Sequence, residues 1–393
     1  KQLPYVEVDV ISDTVQTVTN ILSGMTALLI DGYDAAVCMD VRTYPARSVE
    51  QPEKEKVLRG SKDGFVETIV FNTALIRRRI RDPHLTMEML SVGEISHTDV
   101  VLCYIENKVD KELLNTIRKK IKNIHTSSLN MNQTSLAECL YERKWYNPFP
   151  KYKYTERPDT SAASILEGSL VILVDNSPSA IILPTSLFGI MEEADDYYLP
   201  PITGTYLRLT RFIISIVTFF ITPTILLLTM YPEWIPEWLS FIKLQEYTNV
   251  PLLFQFLILE IAVDGLKLAA VNTPSMLSTP LSIIAGLALG EYAVSSGWFN
   301  AEAMLYMAFV ALSNYTQPSY ELGYALKFFR IITLILTGFF GLWGLIAGTV
   351  CLLTALLLNH TIDGRRRYLY PLIPFNWKVL KRQLFRFRRD ENS

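Results

Sequence analysis

One stretch of this 393-residue chain constrains its fold more than any other: residues 212–230, FIISIVTFFITPTILLLTM, carry no charged side chain. Nineteen consecutive, mostly apolar residues are enough for a helix that crosses the hydrocarbon core of a bilayer. Arg208 and Arg211 precede the run, and Trp234 and Trp238 follow it, as is typical of membrane interfaces. The sequence therefore predicts a membrane span here.

Charge divides the chain into three parts around this run. Residues 1–200 are rich in charged side chains, residues 212–358 are mostly apolar, and residues 365–389 contain nine Lys or Arg. The sequence thus predicts a multidomain membrane protein, with an N-terminal cytosolic α/β domain followed by an all-α transmembrane bundle. We place the bundle at residues 201–362 and a basic cytosolic tail at residues 363–393.

Several apolar segments after the first run predict the rest of the bundle. They lie at residues 250–271, 281–299, 303–316 and 331–358, the last expected to be one long helix with glycines at its packing faces. Basic flanking residues place both ends of the bundle inside, which requires an even number of crossings. We therefore predict four spans plus one re-entrant or interfacial segment, for which 250–275 is the best candidate.

Two hairpin patterns predict strands in the α/β domain. Residues 25–41 and 169–184 each contain an apolar run, a turn with Asp and a second apolar run. They either share one sheet or are separate hairpins. If the two hairpins share one sheet, the domain consists of two lobes. One lobe combines residues of about 1–57 with 151–200, and the other contains residues 58–150. Within 58–150, TDVVLCYI at 98–105 predicts a buried strand, and the periodicity of KELLNTIRKKIKNI predicts a helix over 111–124.

The segment RGSKDG at residues 59–64 contains two glycines and a lysine but lacks the spacing of a phosphate-binding loop. We expect Asp63 to cap a helix that ends before Pro83. The arginines Arg77–Arg79 near its end favour either a salt-bridged face or a docking surface for acidic groups of a partner or of membrane lipid. Nucleic acid is disfavoured because charge is mixed and no aromatic side chains alternate with the basic ones.

Ionisable residues inside the apolar half are candidates for an ion path. Glu260, Asp264 and Lys267 share one helical face, and Glu291 lies in the next segment. A charge near the bilayer centre costs about 2.5–3.5 kcal/mol, so such residues usually face a bundle interior or water. Either they line an ion path, or an internal Asp264–Lys267 pair merely joins helices. In a ring, Glu260 and Asp264 would form an acidic collar that favours cations.

The remaining composition argues against catalysis. The four cysteines and four histidines are scattered, and no CxxC pair, catalytic triad or nucleotide-binding loop is present in the sequence. We therefore expect no metal, no cofactor and no enzymatic activity.

Three motifs in residues 1–200 resemble those of the A-subunit family of bacterial spore germinant receptors, the GerA family. They are RGSKDGFVETIVFNTALIRRRIRD at 59–82, the PFP, TERPD and DNSP pattern within 146–178, and DDYY at 195–198. Ser61 replaces a usual proline, and Asn176 a common glycine. Later stretches resemble the family branch represented by stage V sporulation protein AF. The residues that match the family's motifs are Arg59, Gly60, Gly64, Phe65, Glu67, Asn72, Arg77, Arg78, Arg79, Pro148, Phe149, Pro150, Arg157, Pro158 and Asp159.

The resemblance implies a multi-pass protein of the inner spore membrane that acts in germination. It also implies a cation-conducting homo-oligomer, expected to be a pentamer, with a small membrane-protein partner and with links to germinant receptors and to the machinery that releases dipicolinate. The functional hypothesis is thus a subunit of a cation channel that amplifies germination. The alternatives are a transporter of a small anion such as dipicolinate, and a membrane scaffold that clusters receptors.

Overall fold

A computed structural model describes residues 8–22, 24–39, 47–141, 145–244, 248, 250–274, 279, 283, 285–286 and 290–387. The chain forms two compact units, residues 1–48 and residues 49–393.

The first unit is a small three-stranded antiparallel sheet with one helix. Its elements are β1 (Val8–Ile11), α1 (Thr14–Leu22), β2 (Thr26–Leu28) and β3 (Ala36–Met39). The strand order is β1-β3-β2, and Thr26 lies opposite Met39. The predicted hairpin within 25–41 is therefore confirmed.

The second unit begins with a five-stranded antiparallel sheet, order β4-β5-β7-β8-β6. Its strands are β4 (Leu85–Val92), β5 (Thr98–Ile105), β6 (Lys153–Thr155), β7 (Leu170–Val174) and β8 (Ala180–Leu183). The predicted strand at 98–105 and the hairpin formed by β7 and β8 are confirmed.

Helices cover both faces of this sheet. They are α2 (Ile69–Arg79), α3 (Lys111–Lys122), α4 (Asn132–Leu140) and α5 (Pro158–Leu166). Successive β5 residues alternate between faces, so Leu102 packs with α3 and α4 while Cys103 packs with α2 and α5. The result is a three-layer α/β domain. The predicted helix from Lys111 is confirmed, and Asp110 caps it by accepting from the backbone N–H groups of Glu112 and Leu113.

The shared-sheet hypothesis is wrong. The hairpin of β2 and β3 lies in the three-stranded sheet, and the hairpin of β7 and β8 lies in the five-stranded one. The five-stranded sheet contains β4 and β5 together with β6–β8. The prediction had placed β4 and β5 in the lobe 58–150 and the other three strands in the lobe that includes 151–200. Local hairpin patterns fix only the pairing between neighbouring strands. The pairing of β5 with β7, about seventy residues later, depends on tertiary packing.

The start of α2 also differs from the prediction. The helix begins at Ile69 after Thr68, and Asp63 forms ion pairs with Arg78 and Arg79 instead of capping it. Residues 64–66 are irregular because their N–H groups bond elsewhere: Gly64 to the Glu50 carbonyl, Phe65 to that of Glu156, and Val66 to the Asn72 side chain.

The remainder of the second unit is mostly helical. Its helices are α6 (Leu187–Ile190), α7 (Asp195–Tyr198), α8 (Pro201–Met230), α9 (Leu252–Asn272), α10 (Tyr292–Ser295), α11 (Ala301–Asn314), α12 (Tyr320–Phe340), α13 (Leu342–Leu357) and α14 (Trp377–Leu384). Two 3-10 turns, Pro232–Trp234 and Glu237–Ile242, follow α8. Part of the segment predicted at 281–299 lies outside the described residues.

The single helix predicted over 331–358 is wrong. Gly341, with φ +56°, separates α12 from α13, and the chain folds back on itself there. Gly344 packs on the backbone of Leu336, and Gly348 packs on Thr333, which gives an antiparallel helical hairpin. A Gly-rich apolar segment is compatible with a span or with a turn, and the glycine that adopts the positive φ decides between them.

By length and composition alone, α8 and α12 could each cross a membrane, and α13 is apolar but shorter. Helices buried in the core of a soluble protein can have the same properties.

Candidate functional site

A cluster of buried charges joins α9 to α12. These helices run antiparallel, because Leu253 lies beside Gly338 at one end and Glu260 faces Arg330 further along. Glu260 Oε1 lies 2.6 Å from Arg330 Nη2 and accepts a hydrogen bond from Arg330 Nε at 2.8 Å. Its Oε2 lies 3.1 Å from Lys327 Nζ. All three side chains are at least nine-tenths buried, so their mutual pairing offsets the cost of burying charge.

Asp264 forms the more open end of this cluster. Lys327 Nζ donates to Asp264 Oδ2 at 2.5 Å and to the Glu260 carbonyl at 3.0 Å. The Asp264 side chain is 30% exposed, against 3% for Glu260. The side chain of Asp264 is thus the most exposed of this carboxylate pair, although its Oδ1 atom is buried.

Lys267 does not take the role that its spacing suggested. Its Nζ lies over the rings of Tyr315 and Tyr324, at 5.2 and 5.7 Å from their centroids, while Lys327 supplies the ion pair of Asp264. Cation–π contacts of this kind stabilise an ammonium group that burial would otherwise penalise. With Lys267 included, three cations face two carboxylates, so the cluster carries one net positive charge.

Glu291, the fourth predicted residue of the ion path, lies immediately before α10 and is exposed, outside this cluster.

Two cavities lie close to the cluster and share part of their lining. A small one of about 10 Å³, close to the volume that one water needs, is lined by Lys267, Asn314, Tyr320, Gly323, Tyr324 and Lys327. A cleft of about 420 Å³ lies between the α/β domain and residues 314–321. Asn314 and Tyr320 line both cavities, so the cleft adjoins the cluster.

Acidic side chains predominate in the walls of the cleft. Its carboxylates belong to Glu55, Glu156, Glu192, Glu193, Asp195 and Glu321, and its basic groups to Lys54, Lys56, Lys153 and Arg157. Burial raises the pKa of Glu55, although hydrogen bonds from Thr155 Oγ1 and the Glu156 N–H oppose the shift.

The three sequence motifs meet at Arg157, beside this cleft. The Arg157 guanidinium pairs with Asp159 at 2.6 Å and donates to the carbonyls of Glu55 and Ser61, at 3.1 and 2.8 Å. Tyr198, from the DDYY motif, donates its hydroxyl to Asp159, and its ring covers Gly60. A Cβ on Gly60 would lie 2.5 Å from that ring, and its φ is +122°, so both contact and conformation require glycine.

The DDYY motif also holds the start of α8. Asp196 is fully buried and forms ion pairs with Arg208 and Arg211, and Glu193 pairs with Arg211 as well. The two arginines predicted to flank a membrane span therefore join α8 to α7.

The PFP motif contacts α12. Phe149 stacks on Phe329 with ring centroids 5.4 Å apart, and it also packs against Tyr368. Pro150 is buried and Pro148 is half-buried beside it.

The remaining motif residues have structural contacts within the α/β domain. Asn72 exchanges hydrogen bonds with both backbone groups of Val66, and Phe65 is buried between α2 and the sheet. Pro158 is the first residue of α5. Gly64 lies against the Glu50 carbonyl, and the Glu67 carbonyl accepts from the Asn176 N–H.

The arginines at the end of α2 differ in exposure. Arg77 donates to the carbonyls of Asp82 and Leu85, and Arg79 to Ser61 Oγ and Asp63. Arg78, with 59% of its side chain exposed, and the exposed Arg59 face solvent.

Sequence reasoning identified Glu260 and Asp264 but not their partners, Lys327 and Arg330. The available signal was a pair of cations three residues apart, directly before the apolar segment predicted at 331–358. Among the residues that the structure describes, no group of three or more His, Cys, Asp or Glu side chains could hold a metal ion.

Comparison with known proteins identifies the family. The Bacillus/Clostridium GerA spore germination protein family matches residues 1–392. Stage V sporulation protein AF of Bacillus subtilis is 40% identical over 371 residues, which cover 94% of this chain and 75% of that protein. Spore germination protein A1 of the same species is 30% identical and covers 88% of this chain and 72% of its own length.

A solved structure is also similar in sequence. It is the N-terminal domain of the A subunit of the Bacillus megaterium spore germinant receptor GerK3, 29% identical, covering 45% of this chain and 62% of that one, with a TM-score of 0.26. The family match over nearly the whole sequence confirms the resemblance of the motifs. The chain belongs to the GerA family of spore germination proteins.

Proposed function

We propose that this chain is a membrane-embedded subunit of an oligomeric channel that conducts cations during spore germination. Relatives named for sporulation and germination support the biological setting. The apolar helices α8 and α12 support the membrane placement.

The observation that carries the proposal is the contact between an acidic cleft and a buried charged cluster. Carboxylates lining a mouth raise the local concentration of cations. The cleft shares Asn314 and Tyr320 with the small cavity beside Lys267 and Lys327, so it supplies a polar route towards the cluster. Charged side chains are rarely buried among apolar helices unless they join helices or line such a route.

Within the cluster the two carboxylates have different roles in this proposal. Glu260, held by Lys327 and Arg330, fixes α9 against α12. Asp264, partly exposed at the open end, is the group that a passing cation would meet.

An anion-transporting function is the second candidate, because the cluster carries three cations and two carboxylates. A carboxylate substrate such as dipicolinate would approach Lys267, whose ammonium lies beside the small cavity.

The assembly proposed for the chain follows the family resemblance. It is a homo-oligomer, a pentamer by that resemblance, in the inner spore membrane, with a small membrane-protein partner. Germinant receptors and the machinery that releases dipicolinate would act alongside it. The α/β domain lies on the cytosolic side in this arrangement.

Ion flux through proteoliposomes tests the proposal. We expect Asp264→Asn to reduce cation flux by about tenfold or more, because a unit charge about 4 Å from an ion is worth several kcal/mol at an effective dielectric constant of about 20. Glu237→Gln is the matched control: this exposed carboxylate follows α8 and takes no part in the ion pairs of the cluster, so its removal should leave the flux unchanged.

Other outcomes distinguish the alternatives. Flux of dipicolinate that Lys267→Met abolishes, without cation flux, would establish the anion transporter. If neither cations nor dipicolinate cross the membrane, even with the membrane partner present, the result would favour the scaffold hypothesis.

A further inference from the structure

The segment after the last apolar helix exposes several large apolar side chains. Six of the residues between 372 and 387 have exposed fractions between 40% and 68%: Leu372, Ile373, Phe375, Trp377, Phe385 and Phe387. Isolated apolar residues on a surface need no explanation, but several apolar side chains exposed within one short segment are typical of a contact surface. The rings of Phe375 and Trp377 stack on each other, with centroids 6.4 Å apart.

The same segment is strongly basic. Residues 372–387 contain Lys378, Lys381, Arg382 and Arg386 and no acidic residue. Leu380 is buried against the rest of the protein, while Lys378, Lys381 and Arg382 are exposed. Lys381 lies over the ring of Phe387 at 5.4 Å, so cationic and aromatic groups lie side by side on the outer face.

Hydrogen bonds fix this segment at a defined position along α8. Arg208 Nη1 donates to the Gln383 carbonyl at 2.8 Å, and the Arg386 N–H donates to Thr205 Oγ1 at 3.0 Å. Thr205 lies seven residues before Phe212, where the uncharged run begins, which is about 10 Å along the helix. The polar layer on each side of a hydrocarbon core of about 30 Å is about 5–8 Å deep. If the run lies in the hydrocarbon, as in the proposed function, Arg208, about 6 Å along the helix before Phe212, lies within this layer and Thr205 lies just beyond it, so the segment lies at the outer edge of the lipid headgroups.

We propose that residues 372–387 form a membrane-contact surface that binds anionic lipid headgroups on the same side of the bilayer as the α/β domain. The basic side chains supply attraction to the phosphates, and Phe375, Trp377 and Phe387 enter the interface. This occupant fits the surface better than a protein partner does. Aromatic and basic side chains in a segment that itself contains no acidic residue match an anionic interface, and α8 holds the segment at its depth.

Hydrogen exchange of the full-length protein in lipid nanodiscs tests this proposal. One set of nanodiscs contains phosphatidylcholine alone, and the other contains phosphatidylcholine mixed with phosphatidylglycerol. Four basic groups near an anionic surface predict exchange of the amides in 375–387 that is about tenfold slower in the mixed nanodiscs. High salt should remove most of this difference, because the attraction is electrostatic.

Two variants separate charge from apolar contact. The triple variant Lys378→Glu, Lys381→Glu and Arg382→Glu should abolish the lipid-dependent difference. Phe375→Ala with Trp377→Ala should raise exchange in both lipids. The matched control, Lys111→Glu, Lys119→Glu and Lys122→Glu on exposed positions of α3, carries the same change in charge and should retain the difference. Unchanged exchange in α5 shows that each variant has folded.

Equal exchange in the two lipids overturns the proposal. Protection that follows protein concentration instead of lipid composition also overturns it, in favour of a second copy of the chain. The inference rests on the membrane placement in the proposed function but not on ion conduction. A chain that is not retained with the bilayer refutes that placement, whereas a retained chain without lipid-dependent exchange refutes only this surface.

Discussion

Arg157 illustrates how one side chain organises distant segments of the chain. Its guanidinium reaches Asp159, the Glu55 carbonyl and the Ser61 carbonyl, and it is 1% exposed. Arginine suits this position because its planar donors bind a carboxylate through two bonds and still reach backbone carbonyls. The motif residues around Arg157 are thus explained by the geometry of folding.

Glu55, on the wall of the cleft, should make stability depend on pH. Burial raises its folded-state pKa above the ordinary value of 4.5, so the folded chain holds the proton more tightly than the unfolded chain. The stabilising contribution is therefore complete below the ordinary pKa and is lost as the pH rises through the raised one. We expect Glu55→Gln to flatten the fall in melting temperature above pH 4.5.

Melting curves recorded across a pH series provide the measurement. Glu53→Gln, which changes an exposed carboxylate two residues away, should retain the wild-type pH profile. A Glu55→Gln profile parallel to that of the wild type would exclude this role.

The charged residues show what a sequence reveals at this scale. Glu260 and Asp264 stand out because charge is rare in an apolar helix, and their shared face follows from helical spacing. Their partner Lys327 lies 63 residues after Asp264, so no local rule could select it over Lys267. The antiparallel packing of α9 on α12 brings Lys327 to Asp264 and so determines which lysine forms the ion pair.

At the scale of elements, the hairpin of α12 and α13 depends on close approach of the two backbones. A Cβ at Gly344 would lie 1.9 Å from the Leu336 carbonyl oxygen, a backbone atom that cannot move aside alone. Gly348 lies similarly close to Thr333. Small residues at helix contacts permit this approach in membrane bundles as in soluble ones.

Gly344→Ala should therefore destabilise the hairpin, by about 1–3 kcal/mol or more, as overpacking typically does. Gly265→Ala is the matched control: it changes a glycine inside α9 whose added Cβ would meet nothing within 4 Å. That change should be neutral or stabilising by up to about 1 kcal/mol, because alanine is the better helix former. Thermal unfolding in detergent measures both, and equal midpoints for the two variants would contradict the packing argument.

Element by element, local patterns predicted the fold well where the information is local. The periodicity around Leu113 gave α3, and the apolar runs around residues 170–183 gave β7 and β8. The sheet order could not be predicted, because β5 and β7 are equally apolar and several pairings bury them. The turn at Gly341 could not be predicted either, because the same segment contains other glycines and the sequence does not show which of them adopts a positive φ.

At the scale of the whole molecule, several contacts join the α/β domain to the helices within residues 49–393. Phe149 stacks on Phe329, and Lys151 Nζ donates to the His360 carbonyl at 2.6 Å. Arg365 pairs with Asp110 at 2.7 Å. These contacts involve α12 and the residues after α13, so the α/β domain is not attached by a flexible linker alone.

Asp196 should contribute strongly to the attachment of α8 through α7. Asp196→Asn leaves Arg208 and Arg211 largely buried with less compensating charge, and breaking such a buried pair typically costs about 3–5 kcal/mol. We expect a lower unfolding midpoint for the full chain, with separate transitions for the α/β domain and the helices, in calorimetry. Asp195→Asn should change little, since an amide oxygen can still accept from the Leu58 N–H. A single transition at the wild-type midpoint in Asp196→Asn would refute this role.

The position of Asp196 also affects how hybrid proteins can be assembled from members of this family. The ion pairs with Arg208 and Arg211 cross residue 200, the apparent junction between charged and apolar halves. A hybrid joined at that residue would combine the aspartate of one parent with the arginines of the other. A junction before Ser186 or after Phe212 keeps this set together from one source, so any change in germination behaviour can be assigned to the exchanged domain.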